Sequence, residues 1–405
     1  MSIEKMVLPV VKNLPHSGIR KFFDLINEVD DVISLSVGEP DFITPLCIRN
    51  AGIYSLEKGH THYAPNSGFM DLRKEISNYL ERTINVKYDP QNQVLVTVGG
   101  SEGIDIALRS LVGPGDEVII PEPSFVAYKP CTLLTGATPV IIKLRNEDQF
   151  KLTPELLTRA ITSKTKVLIL PFPNNPTGAI MSRSELEGIV NILKNKDIVV
   201  ISDEVYSELT YEGKHISIAS FPEMRDKTIM INGFSKTFAM TGWRLGYACG
   251  HPDLISAMFK IHQYALMCSP TTSQYAAIEA LRSGEADVQM MLRDYNSRRR
   301  IMINGFQKAG LDCFEPLGAF YVFPSIRSTG MSSDEFCEKL LAEERVAIVP
   351  GTAFGEGGEG FVRACYAYSI ENINEALKRI TSFVDRHKKS EAIHSQVQRA
   401  VRSVV

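Results

Sequence analysis

One lysine stands out chemically because a hydroxyl precedes it and a guanidinium follows it. Lys236 comes directly after Ser235 and shortly before Arg244. A lysine forms a Schiff base readily when burial or neighbouring cations lower its pKa, and the apolar run 229–231 and Arg244 could supply both effects. Ser235 and Arg244 can also bind a phosphate. The segment therefore predicts an amine that meets a phosphate-bearing aldehyde.

Two further polar stretches follow apolar runs that are predicted strands. Residues 99–103, Gly-Gly-Ser-Glu-Gly, open a helical pattern after the run 94–98, so their backbone N–H groups suit a phosphate dianion. Asp203 follows the run 198–202, and a carboxylate there could keep a pyridine nitrogen protonated. Taken alone, each stretch is also an ordinary helix cap. Both fall where an α/β sheet holds its ligands, at the carboxyl ends of its strands.

Three other side chains are candidates for contact with such a ring. Asn175, in a turn sequence after another predicted strand, and the Tyr206 phenol could hydrogen-bond a ring oxygen and favour its ionised form. Phe125 could cover the ring by stacking. Taken alone, the sequence Asn-Pro-Thr-Gly at 175–178 indicates only a turn, and an isolated phenylalanine is ordinary core.

Short runs rich in valine and isoleucine alternate with segments of helical period. Because the runs do not alternate apolar with polar residues, they predict strands buried on both faces of a mostly parallel sheet between helices. This pattern assigns the chain to the α/β class. The predicted strands are 94–98, 117–120, 138–142, 166–170, 198–202 and 228–232, and the predicted helices are 101–111 and 182–195.

The end of the chain has a different pattern. Apolar runs at 318–324, 346–350 and 361–368 surround one helical segment and precede another, which predicts a smaller α+β domain. We expect the boundary within the long helical stretch around 285–300. Residues 355–360 match the nucleotide fingerprint G-x-G-x-x-G, but a strand is predicted after them where the fingerprint needs a helix. We therefore expect a flexible loop there.

Composition excludes several classes of protein. The 405 residues predict two or three domains, and a net charge of −3 without a dominant basic block argues against nucleic acid and membrane surfaces as partners. The longest basic run, Arg298–Arg300, is interpreted as a solvated helix face. With no apolar segment of membrane-span length and no metal spacing among the histidines, we expect neither a membrane protein nor a metal site. Seven scattered cysteines, interpreted as reduced thiols, and the lack of a secretory signal favour the cytoplasm.

These features occur together in one known family. Residues 235–246, Ser-Lys-Thr-Phe-Ala-Met-Thr-Gly-Trp-Arg-Leu-Gly, resemble the lysine signature of class I/II aminotransferases, which use pyridoxal 5′-phosphate (PLP). The other motifs resemble family positions in the family's order. The resemblance implies fold type I, with a large PLP-binding domain at 45–289 and a small domain formed by 1–44 and 290–405. It is strongest to the bacterial branch acting on aspartate, aromatic or N-acetyl-diaminopimelate donors.

The resemblance implies a role for each candidate residue. Lys236 would form the Schiff base with PLP and carry protons, and Asp203 would contact the pyridine nitrogen. Asn175 and Tyr206 would bind the ring oxygen, and Phe125 would stack where many relatives have Tyr or Trp. The residues that would hold the phosphate are Gly100, Ser101, Glu102 through its backbone, Ser235 and Arg244.

Further resemblances concern the substrate and a second subunit. Gly38 and Arg363 resemble residues at the substrate carboxylate, to which a guanidinium fork can donate two parallel hydrogen bonds. Tyr63 resembles a tyrosine that reaches the phosphate of the neighbouring subunit, which implies an obligate homodimer with shared active sites. Arg20 and Tyr321 are candidate selectors of the substrate side chain, where a second cation would favour a dicarboxylate and an apolar lining an aromatic donor.

The implied reaction moves an amino group from an L-amino acid to a 2-oxo acid in two half-reactions. Three alternatives stay open. A PLP-dependent carbon–sulfur lyase would use the same lysine and aspartate. A regulatory protein could keep the PLP-binding fold without turnover, and a nicotinamide or nucleotide enzyme could also use a parallel sheet.

Overall fold

A seven-stranded sheet lies at the centre of the chain. The computed structural model describes residues 3–16, 18 and 31–402 of the protein. A short strand, β1 (Ile33–Ser34), precedes the sheet, whose strands are β2 (Val94–Thr97), β3 (Glu117–Glu122), β4 (Thr138–Lys143), β5 (Thr165–Leu170), β6 (Val199–Asp203), β7 (Thr228–Gly233) and β8 (Gly246–Cys249). Their order across the sheet is β2-β8-β7-β6-β5-β3-β4.

The sheet is mostly parallel, which confirms the α/β prediction. Strand β3 pairs in parallel with β4 and β5, and parallel pairing continues through β6 to β7. Most side chains of β5, β6 and β7 are buried, as expected for strands covered on both faces. Strand β8 is antiparallel to β2 and β7, and the sequence does not predict it. Its residues, Gly-Tyr-Ala-Cys, include no β-branched side chain, so the local strand signal is weak.

Helices connect the strands and cover both faces of the sheet. In α7, Ser182 and Glu185 form a capping box, and Leu186, Ile189 and Leu193 bury the apolar side of the helix. Helix α4 begins at Gly99, slightly before the predicted start. The helices up to the end of the sheet region are α1 (Pro9–Lys12), α2 (Leu46–Glu57), α3 (Met70–Ile84), α4 (Gly99–Leu111), α5 (Tyr128–Leu134), α6 (Pro154–Ala160), α7 (Arg183–Leu193), α8 (Phe234–Thr237), α9 (Pro252–Ala265) and α10 (Thr271–Ser283).

The C-terminal part contains smaller sheets between longer helices. A three-stranded antiparallel sheet has the order β11-β12-β9, and β1 pairs in parallel with β10. The start of the described chain after residue 30 therefore joins the C-terminal part. The division at residues 45 and 289 stays a prediction, and α11 is one continuous helix across residue 289. The elements are β9 (Tyr321–Val322), β10 (Val346–Ala347), β11 (Val349–Pro350), β12 (Val362–Cys365), α11 (Glu285–Lys308), α12 (Ser333–Glu344) and α13 (Ile370–Arg402).

The interpretation of the basic run on α11 as a solvated face is wrong for two of its three arginines. Arg298 and Arg299 are 6% and 1% exposed, whereas Arg300 is exposed. Arg298 pairs with Asp41 at 2.7 Å, and Arg299 pairs with Glu315 at 2.8 Å. Asp294 also pairs with Arg298 from the same helix at 2.7 Å, but Asp41 and Glu315 come from other segments and cannot be predicted from the local sequence.

Three other sequence expectations can be compared with the structure. The segment 355–360 contains a 3₁₀ turn and is followed by β12, which confirms that a strand and not a helix comes after it. All seven cysteines are free thiols. Within the described ranges, every helix is too short or too polar to span a membrane.

Candidate active site

A cavity of about 310 Å³ lies where the parallel strands end. Part of its wall comes from residues at or after the ends of β5, β6 and β7, as expected for a ligand site of an α/β sheet. Further lining residues come from the segment after β1 and from β9 and β12. The predicted site residues that line this cavity are Gly38, Gly100, Ser101, Phe125, Asn175, Asp203, Tyr206, Ser235, Lys236, Arg244, Tyr321 and Arg363.

Lys236 lines the cavity from α8, which begins directly after β7. Its Nζ donates a hydrogen bond to the carbonyl oxygen of Gly38 at 2.6 Å. Burial lowers the pKa of the Lys236 amine to about 8, and the guanidiniums of Arg363 and Arg244 act in the same direction. The amine is therefore partly neutral close to neutral pH, as a nucleophile or general base must be.

Asp203 is the buried last residue of β6. Tyr128 Oη donates a hydrogen bond to Asp203 Oδ2 at 2.6 Å, and the Val205 N–H donates to Oδ1 at 3.3 Å. Burial raises the pKa of the Asp203 carboxyl to about 6, and the two hydrogen bonds oppose that rise. The carboxyl can therefore be ionised at neutral pH and accept a hydrogen bond from a protonated ring nitrogen.

Hydrogen bonds connect the residues after the sheet strands with those of the C-terminal strands. Tyr206 Oη and Tyr321 Oη share a hydrogen bond at 2.7 Å. Burial keeps the pKa of Tyr206 well above its usual range, so its phenol stays a neutral donor. Arg363 Nη1 donates to Asn175 Oδ1 at 3.0 Å. Asn175 and Tyr206 thus each have one partner from β9 or β12.

Arg363 on β12 is a buried cation, with 2% of its surface exposed. Its guanidinium lies over the rings of Tyr321 and Phe354, at 4.5 and 4.8 Å from their centroids, and Nη2 donates to the carbonyl oxygen of Ser36. Nε has no hydrogen-bond partner among the described residues. Since a buried cation is costly to leave unpaired, this position suits an incoming carboxylate.

The start of α4, Ser235 and Arg244 together form an anion-binding corner. The N-cap residue of α4, Val98, has no side chain that can cap the first turn, which contains Gly100 and Ser101. Gly99 has a φ of +74°, a conformation that favours glycine, and a Cβ there would lie 2.9 Å from Arg244 Nη2, which places the guanidinium close to the start of α4. Arg244 is exposed and donates to the carbonyl oxygen of Thr241 at 3.0 Å.

Three predicted site residues do not line the cavity. The Glu102 carboxylate contacts His262 Nδ1 at 2.5 Å and accepts the Val98 N–H at 2.5 Å, and the predicted role of its backbone N–H stays a prediction. Tyr63 is 80% exposed in the single chain. Arg20 lies outside the described residues.

Sequence reasoning does not identify several lining residues. Tyr128 is the most consequential, because it holds Asp203. The sequence gives only a weak indication of its role, because Tyr128 follows Phe125 by three positions. In the structure the two rings pack edge to face at 5.7 Å. Thr241 lies inside the lysine segment. The remaining lining residues lie in apolar runs or turns that carry no functional pattern, and they include Val37, Glu39, Ile104, Pro173 and Val205.

Comparison with known proteins accounts for this cavity. The profile of the family described as aminotransferase class I and II matches residues 30–380. The chain belongs to this family. YugH of Bacillus subtilis is 49% identical to this aminotransferase over 93% of this chain and 97% of the relative. An aspartate aminotransferase of Pyrococcus abyssi is 43% identical, over 92% of this chain and 96% of the relative.

Solved structures of aminotransferases have the same fold as this chain. A crystal structure of an aromatic aminotransferase from Pyrococcus horikoshii matches with a TM-score of 0.86 and 42% identity, covering 91% of this chain and 99% of that one. Because the family is PLP-dependent, the protein is a PLP-dependent aminotransferase, and the sequence prediction of family, fold and cofactor is confirmed. The family does not favour the lyase, regulatory or nucleotide-binding alternatives.

The cavity of this aminotransferase fits PLP chemically. In the described part of the chain, Asp203 has hydrogen-bond donors but no basic partner, which suits a protonated pyridine nitrogen. The close approach of Gly99 to Arg244 leaves a guanidinium beside an uncapped helix start, which suits a phosphate. The Lys236 amine, with its lowered pKa, suits an aldehyde.

Proposed function

We propose that this aminotransferase transfers an amino group from an L-amino acid to a 2-oxo acid by a ping-pong reaction, with Lys236 as the amine that binds the PLP aldehyde. When bound, PLP supplies an electron sink for the electron pair left on the substrate α-carbon. Asp203 pairs with the pyridine nitrogen, Asn175 and Tyr206 bind the ring oxygen, and Phe125 stacks on the ring. The phosphate partners are Gly100, Ser101, the Glu102 backbone, Ser235 and Arg244.

The position of Lys236 carries this proposal. Its amine has a pKa of about 8 and, among the described residues, one hydrogen bond, to the Gly38 carbonyl oxygen. At pH 7 such an amine is neutral in about one-tenth of molecules, compared with roughly one in several thousand for an ordinary lysine. Lys236 can therefore attack an aldehyde and, once displaced by substrate, take up the α-proton and return it to the neighbouring carbon.

Gly38 and Arg363 bind the substrate carboxylate in this proposal. Arg363 is buried, has an unpartnered Nε among the described residues, and is held in place by Asn175 and Ser36. A carboxylate at this point would neutralise the cation and fix the orientation of the α-carbon. Gly38 lies close to Tyr321, since a Cβ at this position would come 2.3 Å from Tyr321 Oη. The Tyr321 ring in turn lies against the Arg363 guanidinium.

We propose a donor of the aspartate, aromatic or N-acetyl-diaminopimelate type. Relatives of this chain are named as aspartate and aromatic aminotransferases. Among the described lining residues the only cations are Lys236, Arg244 and Arg363, each of which has another role here. An acidic side chain would need a further cation, for which Arg20 is the candidate, whereas Tyr321 would contact an aromatic one.

The experiment that tests the function is a spectral titration of purified protein with PLP. Aspartate, phenylalanine, tyrosine, N-acetyl-LL-diaminopimelate and cysteine are added one at a time, without any oxo acid. We expect the yellow band to bleach to the aminated cofactor and to return when a 2-oxo acid follows. The fastest donor identifies the substrate class. Release of pyruvate and ammonia without bleaching, or no uptake of PLP, would contradict the proposal.

We also propose that two copies form the active unit. Apolar side chains that stay exposed in the single chain cluster on α2 and at the end of α9, and a second copy would cover them. Tyr63, 80% exposed, would then reach the anion-binding corner of the second copy. Sedimentation equilibrium of the holoenzyme tests this, since a fully active monomer would exclude it. The exposed residues are Leu46, Ile53, Tyr54, Leu56, Tyr264, Leu266 and Met267.

We propose the cytoplasm as the location, because all seven cysteines are free and four of them are buried. In an oxidising compartment such thiols are at risk of mispairing during folding. Fractionation of cells that produce the full chain, followed by thiol counting, would check this. Activity confined to a secreted fraction would contradict it.

A further inference from the structure

Tyr128 forms a buried hydrogen bond with Asp203 but takes part in no step of the proposed reaction. Tyr128 is the first residue of α5, and its Oη donates to Asp203 Oδ2 at 2.6 Å. Both side chains are buried, at 2% and 6% exposure. The other donor to this carboxylate in the described part of the chain is the more distant Val205 N–H, at 3.3 Å.

The surroundings of Asp203 otherwise disfavour its charge. Burial opposes ionisation, and the neighbouring Glu204 adds negative potential. Glu204 is itself held by Ser202, Ser217 and His215, so it does not stabilise Asp203. The other charged groups that line the cavity are Glu39, Lys236, Arg244 and Arg363, and none of them forms a salt bridge with Asp203 in the described chain.

Tyr128 is suited to counteract this environment. Burial and the adjacent carboxylate raise the pKa of its phenol well above the usual range, so the hydroxyl remains a donor at every working pH. A short bond from a neutral donor stabilises a carboxylate and also fixes its direction. The Tyr128 ring packs against Phe125 and within the apolar cluster beside the sheet, so the hydroxyl is a small part of its packing.

We propose that Tyr128 is a positioning residue that keeps the Asp203 carboxylate ionised and directed into the cavity, and that PLP retention and the acid limit of activity depend on its hydroxyl. The inference rests on the proposed role of Asp203 beside the pyridine nitrogen. Tyr128 acts only through Asp203. Its removal therefore affects how tightly PLP is held and the pH range, while the identity of the preferred donor stays the same.

The test compares Tyr128→Phe with Tyr88→Phe. Tyr88 is also buried, at 1% exposure, but its hydroxyl has no hydrogen-bond partner among the described residues, so the control removes the same atom without removing a bond. The first readout is PLP binding to the apoprotein, followed by absorbance. We expect Tyr128→Phe to weaken it by about ten- to hundredfold, the range for a hydrogen bond to a charged group. Tyr88→Phe should bind like the wild type.

The second readout is the acid limb of kcat/KM against pH. The Tyr128 hydrogen bond favours the ionised form, so its loss raises the pKa of Asp203 further. The limb should then move to higher pH, by about half a unit or more. A purely structural role would instead lower the thermal midpoint of the apoprotein and leave the limb in place. Unchanged PLP binding together with an unchanged limb would overturn the inference.

A double-mutant cycle separates this inference from the proposed function. If Tyr128 acts through Asp203, adding Tyr128→Phe to Asp203→Asn should cause no further loss of PLP binding. Additive losses would contradict it. Failure of the wild type to bind PLP would instead refute the proposed function. Should Tyr128→Phe not fold, 3,5-difluorotyrosine at position 128 keeps the ring and strengthens the donor. The acid limb should then move to lower pH, and an unmoved limb would count against the inference.

Discussion

The cavity has two kinds of wall, and they differ in how the chain builds them. The first wall consists of the ends of sheet strands and the segments directly after them, and it holds Asp203, Ser235 and Lys236. The second combines the segment after β1 with β9 and β12 and holds Gly38, Tyr321 and Arg363. Each turn of the first wall follows from a short local sequence, whereas the second needs residues separated by most of the chain. In the proposed function, the first wall holds the residues for the cofactor chemistry, and the second adds the substrate contacts.

Hydrogen bonds join the two walls. Lys236 Nζ bonds to the Gly38 carbonyl oxygen at 2.6 Å, Tyr206 to Tyr321 at 2.7 Å, and Arg363 to Asn175 at 3.0 Å. A movement of the second wall upon substrate binding would therefore shift Lys236, Tyr206 and Asn175 together. Because the proposed catalytic groups lie in the first wall and the substrate contacts in the second, variants in the first should mainly affect the chemical step and variants in the second mainly substrate binding.

The largest effect is expected for Lys236→Ala. Removing the amine eliminates both the covalent partner of PLP and the proton carrier, so steady turnover should fall on the order of 10⁴-fold or more. Turnover is measured with the preferred donor at saturating PLP. Lys74→Ala, which removes an exposed lysine on α3, should be fully active. Substantial steady turnover by Lys236→Ala would exclude this lysine as the catalytic amine.

Arg363→Lys should separate substrate binding from cofactor binding. The variant retains the positive charge but loses the guanidinium fork and its stacking on Tyr321, so KM for the donor should rise by about ten- to hundredfold. PLP binding should be unaffected, because the anion-binding corner formed by α4, Ser235 and Arg244 belongs to the first wall. Steady-state kinetics and PLP titration measure the two quantities. Arg300→Lys, at an exposed arginine of α11, is the control. A loss of PLP binding equal to the rise in KM would erase the distinction between the walls.

Gly38→Ala tests the junction of the walls. The new Cβ would lie about 2.3 Å from Tyr321 Oη, which is itself bonded to Tyr206, so the tyrosine must shift. Overpacking of this kind costs about 1–3 kcal/mol, and we expect kcat/KM to fall by about five- to hundredfold. The double variant Gly38→Ala/Tyr321→Phe should recover part of the loss, because the clashing oxygen is gone. Gly113→Ala, where a Cβ meets no atom, should be neutral. If the double variant recovers nothing, the clash is not the cause.

The same contrast explains what can be predicted from the sequence. Lys236, Asp203 and the glycine turn at 99–103 are recognisable because each follows a buried apolar run, and the parallel sheet brings the ends of those runs together. The positions of Gly38 and Arg363 follow only from family resemblance, since nothing local indicates that β1 joins β10. The Tyr128–Asp203, Arg298–Asp41 and Arg299–Glu315 pairs join residues of different segments, for which a single sequence offers little signal.

The smallest expected effect concerns the stability of the apoprotein. The pKa of Lys236 falls from 10.5 to about 8 in the folded state, so between these pH values the folded chain binds fewer protons than the unfolded chain. Stability therefore rises with pH across this window, and below pH 8 the partly buried amine destabilises the fold in full. Because Lys236 is only partly buried, we expect a cost of about 1–3 kcal/mol.

Lys236→Met should remove that cost. Urea unfolding of the apoprotein at fixed protein concentration should show a stability gain at pH 7 that shrinks by pH 10, where the wild-type amine is mostly neutral. Lys74→Met, at an exposed position, should show no such pH dependence. An equal gain at both pH values would mean that methionine stabilises by packing alone. The first wall would then hold its lysine without an electrostatic cost, and the lowered pKa would have to arise when PLP and substrate are bound.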